Sequence, residues 1–307
     1  MSDPLVSIIL PTYNRMGLLE ETVASVRAQT FGDWELLVVD DGSTDGTAEY
    51  LDALGREDPR VRRIAMPHAA NLGLLRNTAL GQARGRWVAF QDSDDTWRAD
   101  KLQRHLSAHA ADPAARWSYS RCELMDETGA TLPPERFAPW YPMSGWIYDA
   151  LLAHEARVAI PSLVVERALL EEIGGSDDTL RYCQDYDLEL RLAARSPCTA
   201  LDEPLVRVRL HSASWGHSKL EVDEYFIRVY RKHVAMRPGR TSVRICRRRQ
   251  GEYAVWAARK RMGNREPLRA LGWILYSAWM RPASLAPWRL LAAALLRRLR
   301  PRSSTPA

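Results

Sequence analysis

Cysteine is scarce in this sequence. The 307 residues carry four, Cys122, Cys183, Cys198 and Cys246, and no two stand at CxxC spacing. That argues against a zinc site or a disulfide framework and fits a reducing compartment. Long apolar runs are missing too. The longest near the carboxyl end, Leu271 to Met280, is about half a membrane span, so no simple transmembrane helix is expected. The opening residues, MSDPLVSIILP, lack the basic and long apolar regions of an export signal, which makes the cytoplasm the expected location. No glycine follows the first apolar run until Gly17, which argues against a glycine-rich phosphate loop and the nucleotidyltransferases that use one. No internal repeat is visible, and disorder-type composition is confined to the last few positions.

Charge, by contrast, is plentiful and unevenly placed. The net charge of +5 hides a division: residues 221–307 hold 20 Lys/Arg against 5 Asp/Glu, and residues 1–220 hold 23 against 33. An acidic body with a basic tail gives a soft boundary near 218–222, hence two regions, 1–220 and 221–307. Such a tail suits an anionic surface.

Within the body, short β-branched runs alternate with helical patterns. Leu5–Leu10 reads as a buried strand stopped by Pro11, and GLLEETVASVRAQT as a helix. Trp34–Val39, Val61–Ala65 and Trp87–Phe90 read as further strands, separated by helices opening near Asp45 and over 71–83. This alternation predicts an α/β fold with a mostly parallel sheet flanked by helices, whose ligands collect at the carboxyl ends of the strands. From 98 to 220 the pattern mixes helices (RADKLQRHLSAH, DYDLELRLAA) with strand-like WSYSRCEL, AIPSLVV and TALDEPLVRVRL. Beyond 220 it is mostly helical.

Two acidic clusters fall at expected strand ends. In VVDDGSTDGT, Asp45 has a local explanation as the start of a helix, whereas Asp40 and Asp41 do not. A carboxylate at Asp41 can accept hydrogen bonds from a base edge or a ribose hydroxyl. In WVAFQDSDDTW, Asp92, Asp94 and Asp95 repel one another unless something cancels their charge. Asp95 is expected to cap the helix beginning near Arg98. Asp92 and Asp94, flanking Ser93 in an extended segment, point the same way and make a seat for Mg²⁺ or Mn²⁺. A solvated acidic turn is the alternative.

Five segments in order, VSIILPTYNR (6–15), DWELLVVDDGSTDGT (33–47), NLGLLRNTAL (71–80), GRWVAFQDSDDTW (85–97) and QDYDLELRL (184–192), together resemble the family 2 glycosyltransferases, which have the GT-A fold. The resemblance covers about residues 5 to 215. It implies a nucleotide pocket at Pro11, Thr12 and Tyr13, with Asp41 on a uracil-like base. It implies a DxD motif in which Asp92 and Ser93 lie near the nucleotide and Asp94, with Asp92, holds a metal on the diphosphate. It places Arg76 at the nucleotide, where the alternative is a solvated helix arginine, and makes His211 a further metal ligand, where the alternative is a structural histidine. Asp185 falls where the family carries its catalytic base. Gln184 replaces the glutamate that usually precedes it, while Asp187 and Glu189 are expected as surface or capping groups on the next helix.

The implied activity is metal-dependent, inverting transfer of one sugar from a nucleotide-diphosphate sugar, with UDP favoured, to an acceptor hydroxyl on a glycan or lipid-linked precursor. The processive QxxRW signature is missing, which favours single-sugar addition. A catalytically silent nucleotide-sugar-binding or membrane scaffold protein is the alternative from another class. In the tail, Trp288, Leu291, Leu295 and Leu299 repeat at helical spacing, with Arg289, Arg297 and Arg300 on the other side. That pattern fits either peripheral docking on the inner face of the cell membrane or packing against the body or a second copy. Nucleic acid is not an expected partner, because no stacking motif or recognition fold accompanies the arginines.

Overall fold

A computed structural model describes residues 3–133, 142–210, 220–236 and 239–299, with side chains through 293. The chain divides into two compact units, 1–214 and 215–307.

The first unit is built on an eight-stranded sheet. Its strands are β1 (Val6–Thr12), β2 (Trp34–Asp40), β3 (Val61–Ala65), β4 (Trp87–Phe90), β5 (Thr96–Trp97), β6 (Trp117–Met125), β7 (Val164–Glu166) and β8 (Cys198–Arg209), in the order β3-β2-β1-β4-β7-β6-β8-β5. The β1–β2, β1–β4, β2–β3 and β6–β8 pairings are parallel. β1, β2 and β4 are buried along their whole length. That is why they read as unbroken apolar runs: helices cover a parallel sheet on both faces. The crossover helices are α1 (Met16–Arg27), α2 (Thr47–Glu57) and α3 (Leu72–Leu80), the last capped where Asn71 Oδ1 accepts from Leu74 N at 3.1 Å. Leu19, Val23 and Val26 of α1 and Leu51 and Leu54 of α2 pack with Ile8, Leu10, Leu36 and Val38 in one core.

Three expectations are corrected. β1 runs through Pro11 rather than stopping there. Its ladder with β4 ends at Ile9↔Phe90, so the missing proline N–H breaks no rung on that side. AIPSLVV divides into a 3-10 turn (Ile160–Ser162) and the short β7, which is antiparallel to both β4 and β6. The third concerns helix α4 (Lys101–Ala111), which begins after Asp100; Asp95 does not cap it and instead accepts from Arg209 N at 2.8 Å.

Later helices of this unit are α5 (Tyr148–Ala153), α6 (Arg167–Glu172) and α7 (Gln184–Arg195). The second unit contains α8 (Val222–Ala235), α9 (Arg240–Gly263), α10 (Pro267–Met280) and α11 (Ala286–Leu299). α8 is tied to α9 by Arg261 on Glu224 (2.6 Å) and Lys260 on Asp223 (2.9 Å). In α11, Trp288 is exposed and Leu291 half-buried, while the side chains of Leu295, Arg297, Leu299 and Arg300 lie outside the described residues. No described helix is long and apolar enough to cross a membrane.

Candidate active site

The carboxyl ends of β1, β2 and β4 are stitched together by side chains of the turns that follow them. Asn14, left-handed at φ 47°, accepts from Thr44 N through Oδ1 (2.8 Å), and its own N–H donates to Ser43 Oγ (3.0 Å). Asp45 accepts from Met16 N at 3.0 Å and from Thr47 Oγ1 at 2.6 Å, so it anchors the starts of both α1 and α2.

Asp41 is buried, and its carboxylate latches the following loop. Oδ1 accepts from Ala69 N (2.7 Å) and Oδ2 from Ala70 N (3.0 Å), while His68 Nδ1 lies 3.0 Å from Oδ2. His68 in turn stacks on Tyr13, with ring centroids 4.0 Å apart. Gly42 closes the turn at φ 77°, where a Cβ would stand 3.0 Å from His68 N. A carboxylate with two backbone donors keeps lone pairs for a further donor. The half-exposed Tyr13–His68 stack stands beside it.

Beyond β4 the chain does not stay extended. Asp92, Ser93, Asp94 and Asp95 form a tight turn in which Asp95 N donates to Asp92 O (3.2 Å). The strand-alternation reason for pairing Asp92 with Asp94 is therefore replaced by a turn. Gln91 Nε2 braces it by donating to Asp95 O (2.7 Å). Arg76, expected either at a nucleotide or in solvent, is buried, and its Nη2 donates to Asp92 Oδ1 at 3.1 Å. Arg15 Nη1 reaches Asp94 Oδ2 at 3.3 Å. Arg209, at the end of β8, clamps the turn from the other side through Asp94 O (3.0 Å) and, with its backbone N–H, Asp95 Oδ1. Arg15, His68 and Arg209 escape a sequence reading, since nothing local marks them. His211 lies outside the described residues.

Electrostatics show how crowded this turn is. Desolvation raises the pKa of Asp92, although nearly a third of its side chain is exposed; Arg76 pulls it down, and Asp94 and Asp185 push it further up. Asp95 is held well above the ordinary range by burial first, then by Asp92 and Asp94. The influence of Asp185 on Asp92 brings the two ends of the motif set within electrostatic reach. α3 arranges this. Asn71 Nδ2 donates to Asp178 O, and Asn77 binds both the oxygen and the N–H of Ser176, each at 2.8 Å. The loop leading into α7 is thereby held on the helix that carries Arg76. Gly175 in that loop has φ 66°, and a Cβ there would fall 2.5 Å from Asn77 Oδ1.

α7 also corrects an expectation. Asp187 and Glu189 are not surface groups; both are buried. Asp187 accepts from Arg191 Nε (2.7 Å), and Arg191 Nη1 binds the carbonyls of Ile173 and Gly175 (2.7 and 2.6 Å), locking the same loop. Glu189 is held well above the ordinary carboxylate range by burial and by Asp185, against Arg76.

Several buried polar atoms here have no protein partner: Thr12 Oγ1, Arg76 Nε and Nη1, Gln91 Oε1 and Gln184 Oε1. Buried polar groups are almost always satisfied, so the unpartnered atoms of Thr12, Gln91 and Arg76, beside the strand ends, fit a polar ligand. Among the described residues no three His, Cys, Asp or Glu side chains converge to enclose a metal alone. Two carboxylates that repel each other still fit a hard cation that takes its remaining ligands from water and a diphosphate.

The mixed sheet flanked by helices, with an acidic turn and a buried arginine at its carboxyl edge, agrees with the GT-A fold that the family resemblance implies. The glycosyl transferase family 2 model matches residues 7–173, and the chain belongs to that family. Among its relatives, the proposed teichuronic acid biosynthesis glycosyltransferase TuaG of Bacillus subtilis is 39% identical over 136 residues, 44% of this chain and 54% of that protein. The UDP-Glc:α-D-GlcNAc-diphosphoundecaprenol β-1,3-glucosyltransferase WfgD of Escherichia coli is 44% identical over 107 residues, 35% of this chain and 42% of that protein. The chain thus spans about half the length of these curated relatives. In fold it is similar to S. aureus TarS 1–349 in complex with UDP-GlcNAc (TM-score 0.66, 16% identity, 95% of this chain and 92% of that one). It is also similar to the mannosyltransferase PcManGT of Pyrobaculum calidifontis in complex with GDP-Man and Mn²⁺ (TM-score 0.60, 20% identity, 98% and 82%).

Proposed function

We propose that the protein transfers a single sugar, with inversion, from a UDP-sugar to a hydroxyl of a lipid-linked glycan precursor at the inner face of the cell membrane. The observation that carries this is the buried Arg76, two of whose nitrogens, Nε and Nη1, have no protein partner, set against Asp92 within electrostatic reach of Asp94 and Asp185. A buried arginine that is ion-paired through one nitrogen and keeps others unpartnered, beside a carboxylate pair, suits a diphosphate bridged by a divalent ion. The UDP donor and lipid-diphosphate acceptor named for WfgD support the same choice of substrates.

Tyr13 and His68 would hold the base, and Asp41 would accept from it. Asp94 and Asp92 would hold Mn²⁺ or Mg²⁺, with His211 as a further ligand. Bound there, the cation would supply Lewis-acid stabilisation of the charge on the departing nucleoside diphosphate. Asp185 takes the proton of the acceptor hydroxyl as its oxygen bonds to the anomeric carbon and the bond from that carbon to the diphosphate breaks. Attack from the face opposite the leaving group, assisted by one base, inverts the anomeric centre.

Isothermal calorimetry of the intact protein with a panel of UDP-, GDP- and dTDP-sugars, with and without Mn²⁺, tests the reading. Uptake of a UDP-sugar that strengthens at least about tenfold with metal is expected. No uptake of any sugar nucleotide would remove the proposal.

A further inference from the structure

Helix α10 is apolar on two opposite faces. Ala270, Ile274 and Ser277 are its buried positions, and it is fastened to α9 where Ser277 Oγ donates to Gly251 O (2.7 Å) and Tyr276 OH to Gln250 Oε1 (2.5 Å). The other face is Leu268, Leu271, Leu275 and Trp279, which are 84%, 39%, 52% and 73% exposed. At about 100° per residue these four fall within an arc of roughly 80°, on the side away from the buried three. Single exposed apolar residues need no explanation, but a continuous helical stripe of them does.

The charges around the stripe say what covers it. α10 has no carboxylate and a single ionic side chain, Arg269, itself exposed. Residues 265–302 carry eight arginines (265, 269, 281, 289, 297, 298, 300 and 302) and one carboxylate, Glu266. A second copy would bring these arginines against their own likes, whereas an anionic leaflet supplies the opposite charge. At 14 residues the helix is about 21 Å long, too short to span a bilayer but suited to lying along one. Exposed Trp279 and, in α11, Trp288 have the amphipathic rings that settle at headgroup level.

We infer that α10 is an interfacial membrane helix, its Leu268–Leu271–Leu275–Trp279 face set among the lipid chains of an anionic bilayer and the flanking arginines on lipid phosphates. This rests on the reading of the protein as acting on a lipid-linked acceptor. It names α10, rather than the Trp288 stripe of α11 alone, as the surface that reaches it.

Flotation of the full-length protein with phosphatidylglycerol-containing vesicles and with pure phosphatidylcholine vesicles tests this, comparing wild type with the double variant Leu275→Glu, Trp279→Glu. The wild type is expected to float on the anionic vesicles, and the double variant to lose about 30-fold or more in partitioning, since two charges of the wrong sign are added at the surface. Its melting temperature should not change. If the double variant fails to fold, Leu268→Glu, at the most exposed position, gives the same readout. A wild type that floats on neither vesicle overturns the inference, as does a variant that floats like wild type. A wild-type dimer dispersed by the variant without any flotation overturns it in favour of a second copy. Calorimetric donor uptake in the same preparations keeps the outcomes apart: lost uptake counts against the transferase reading and not against the membrane helix.

Discussion

The two units of this protein place their costly groups in opposite positions. In the first, charge is buried: Asp41, Arg76, Asp95, Asp187 and Glu189 lie inside, at or near one edge of the sheet. In the second, the apolar side chains Leu268, Leu275 and Trp279 are exposed, as are most of the described arginines. Each arrangement works against the stability of an isolated unit. Desolvating a charge costs several kcal/mol unless partners repay it, and leaving a large apolar side chain in water forgoes about 1.5–3 kcal/mol. Sequences drift away from such costs when nothing is gained. The buried charge of the first unit is what a polar ligand would offset, and the exposed stripe of the second is what an apolar, anionic surface would cover.

The largest effect that would break this contrast is at Asp185. In the proposed mechanism Asp185 is the proton acceptor, so Asp185→Asn should lower turnover by about 10³-fold while donor affinity, measured by calorimetry, moves less than about threefold. The side chain is only half-buried, so the melting temperature should hardly change. Full turnover in the variant would move Asp185 from chemistry to scaffold, alongside Asp187.

That Asp187 is scaffold was not legible beforehand, and the reason is instructive. The parallel half of the sheet was legible because strands covered on both faces read as plain apolar runs, as in Val6–Leu10 and Leu36–Val39. The acidic cluster and Asp41 stood out because carboxylates following such runs are out of place, but the extended geometry expected at Asp92–Asp94 gave way to a turn. α7, however, is buried on nearly every side, from Gln184 through Asp187–Ala193. Helical periodicity assumes a solvated face, so it assigns Asp187 and Glu189 to a surface that does not exist. β5 and β7, two and three residues long, are too short to show any period. Arg15, His68 and Arg209 matter only through contacts far apart in sequence, which no local spacing encodes.

A smaller effect is expected at a buried charge away from the candidate site. Lys101 is fully buried; its Nζ lies 4.1 Å over the Trp97 ring with no hydrogen-bond partner, and burial lowers its pKa to about 7. The unfolded chain holds a proton there up to about pH 10.4. Between pH 7 and that value the unfolded state binds more protons, so stability rises with pH and is lowest below 7. Nearby, Ser118 Oγ lies 2.7 Å from His105 Nδ1 and 2.8 Å from His109 Nε2, and burial lowers both histidines, His109 to about 4. Their contribution is complete above about pH 6.5, while the buried thiols of Cys122 and Cys198, both pushed up by burial, begin to oppose the rise only as the unfolded chain's thiols ionise near pH 8.5, so the window from 7 to 8 reads mainly the lysine. Lys101→Met should raise the melting temperature at pH 7 by about 5 °C and flatten its rise between pH 7 and 8. A lower melting temperature would mean that the first unit, too, depends on this charge.

The smallest effect sharpens the other side of the comparison. Arg269 of α10 pairs at 3.1 Å with Glu266, the residue just before the helix, but it is 69% exposed, and Glu266 is also held by Arg261 at 2.8 Å. Exposed pairs gain little in water, and here the carboxylate keeps a second cation when the first is removed. Arg269→Gln should therefore shift the melting temperature by less than about 1 °C. The same arginine flanks the exposed stripe, where one charge lost near an anionic leaflet should weaken vesicle binding about fivefold. A charge that matters to a surface and not to the fold is what the second unit requires. If the substitution instead lowered the melting temperature by several degrees and left vesicle binding unchanged, the arginines of this unit would be structural, as they are around Asp187, and the contrast between the two units would disappear.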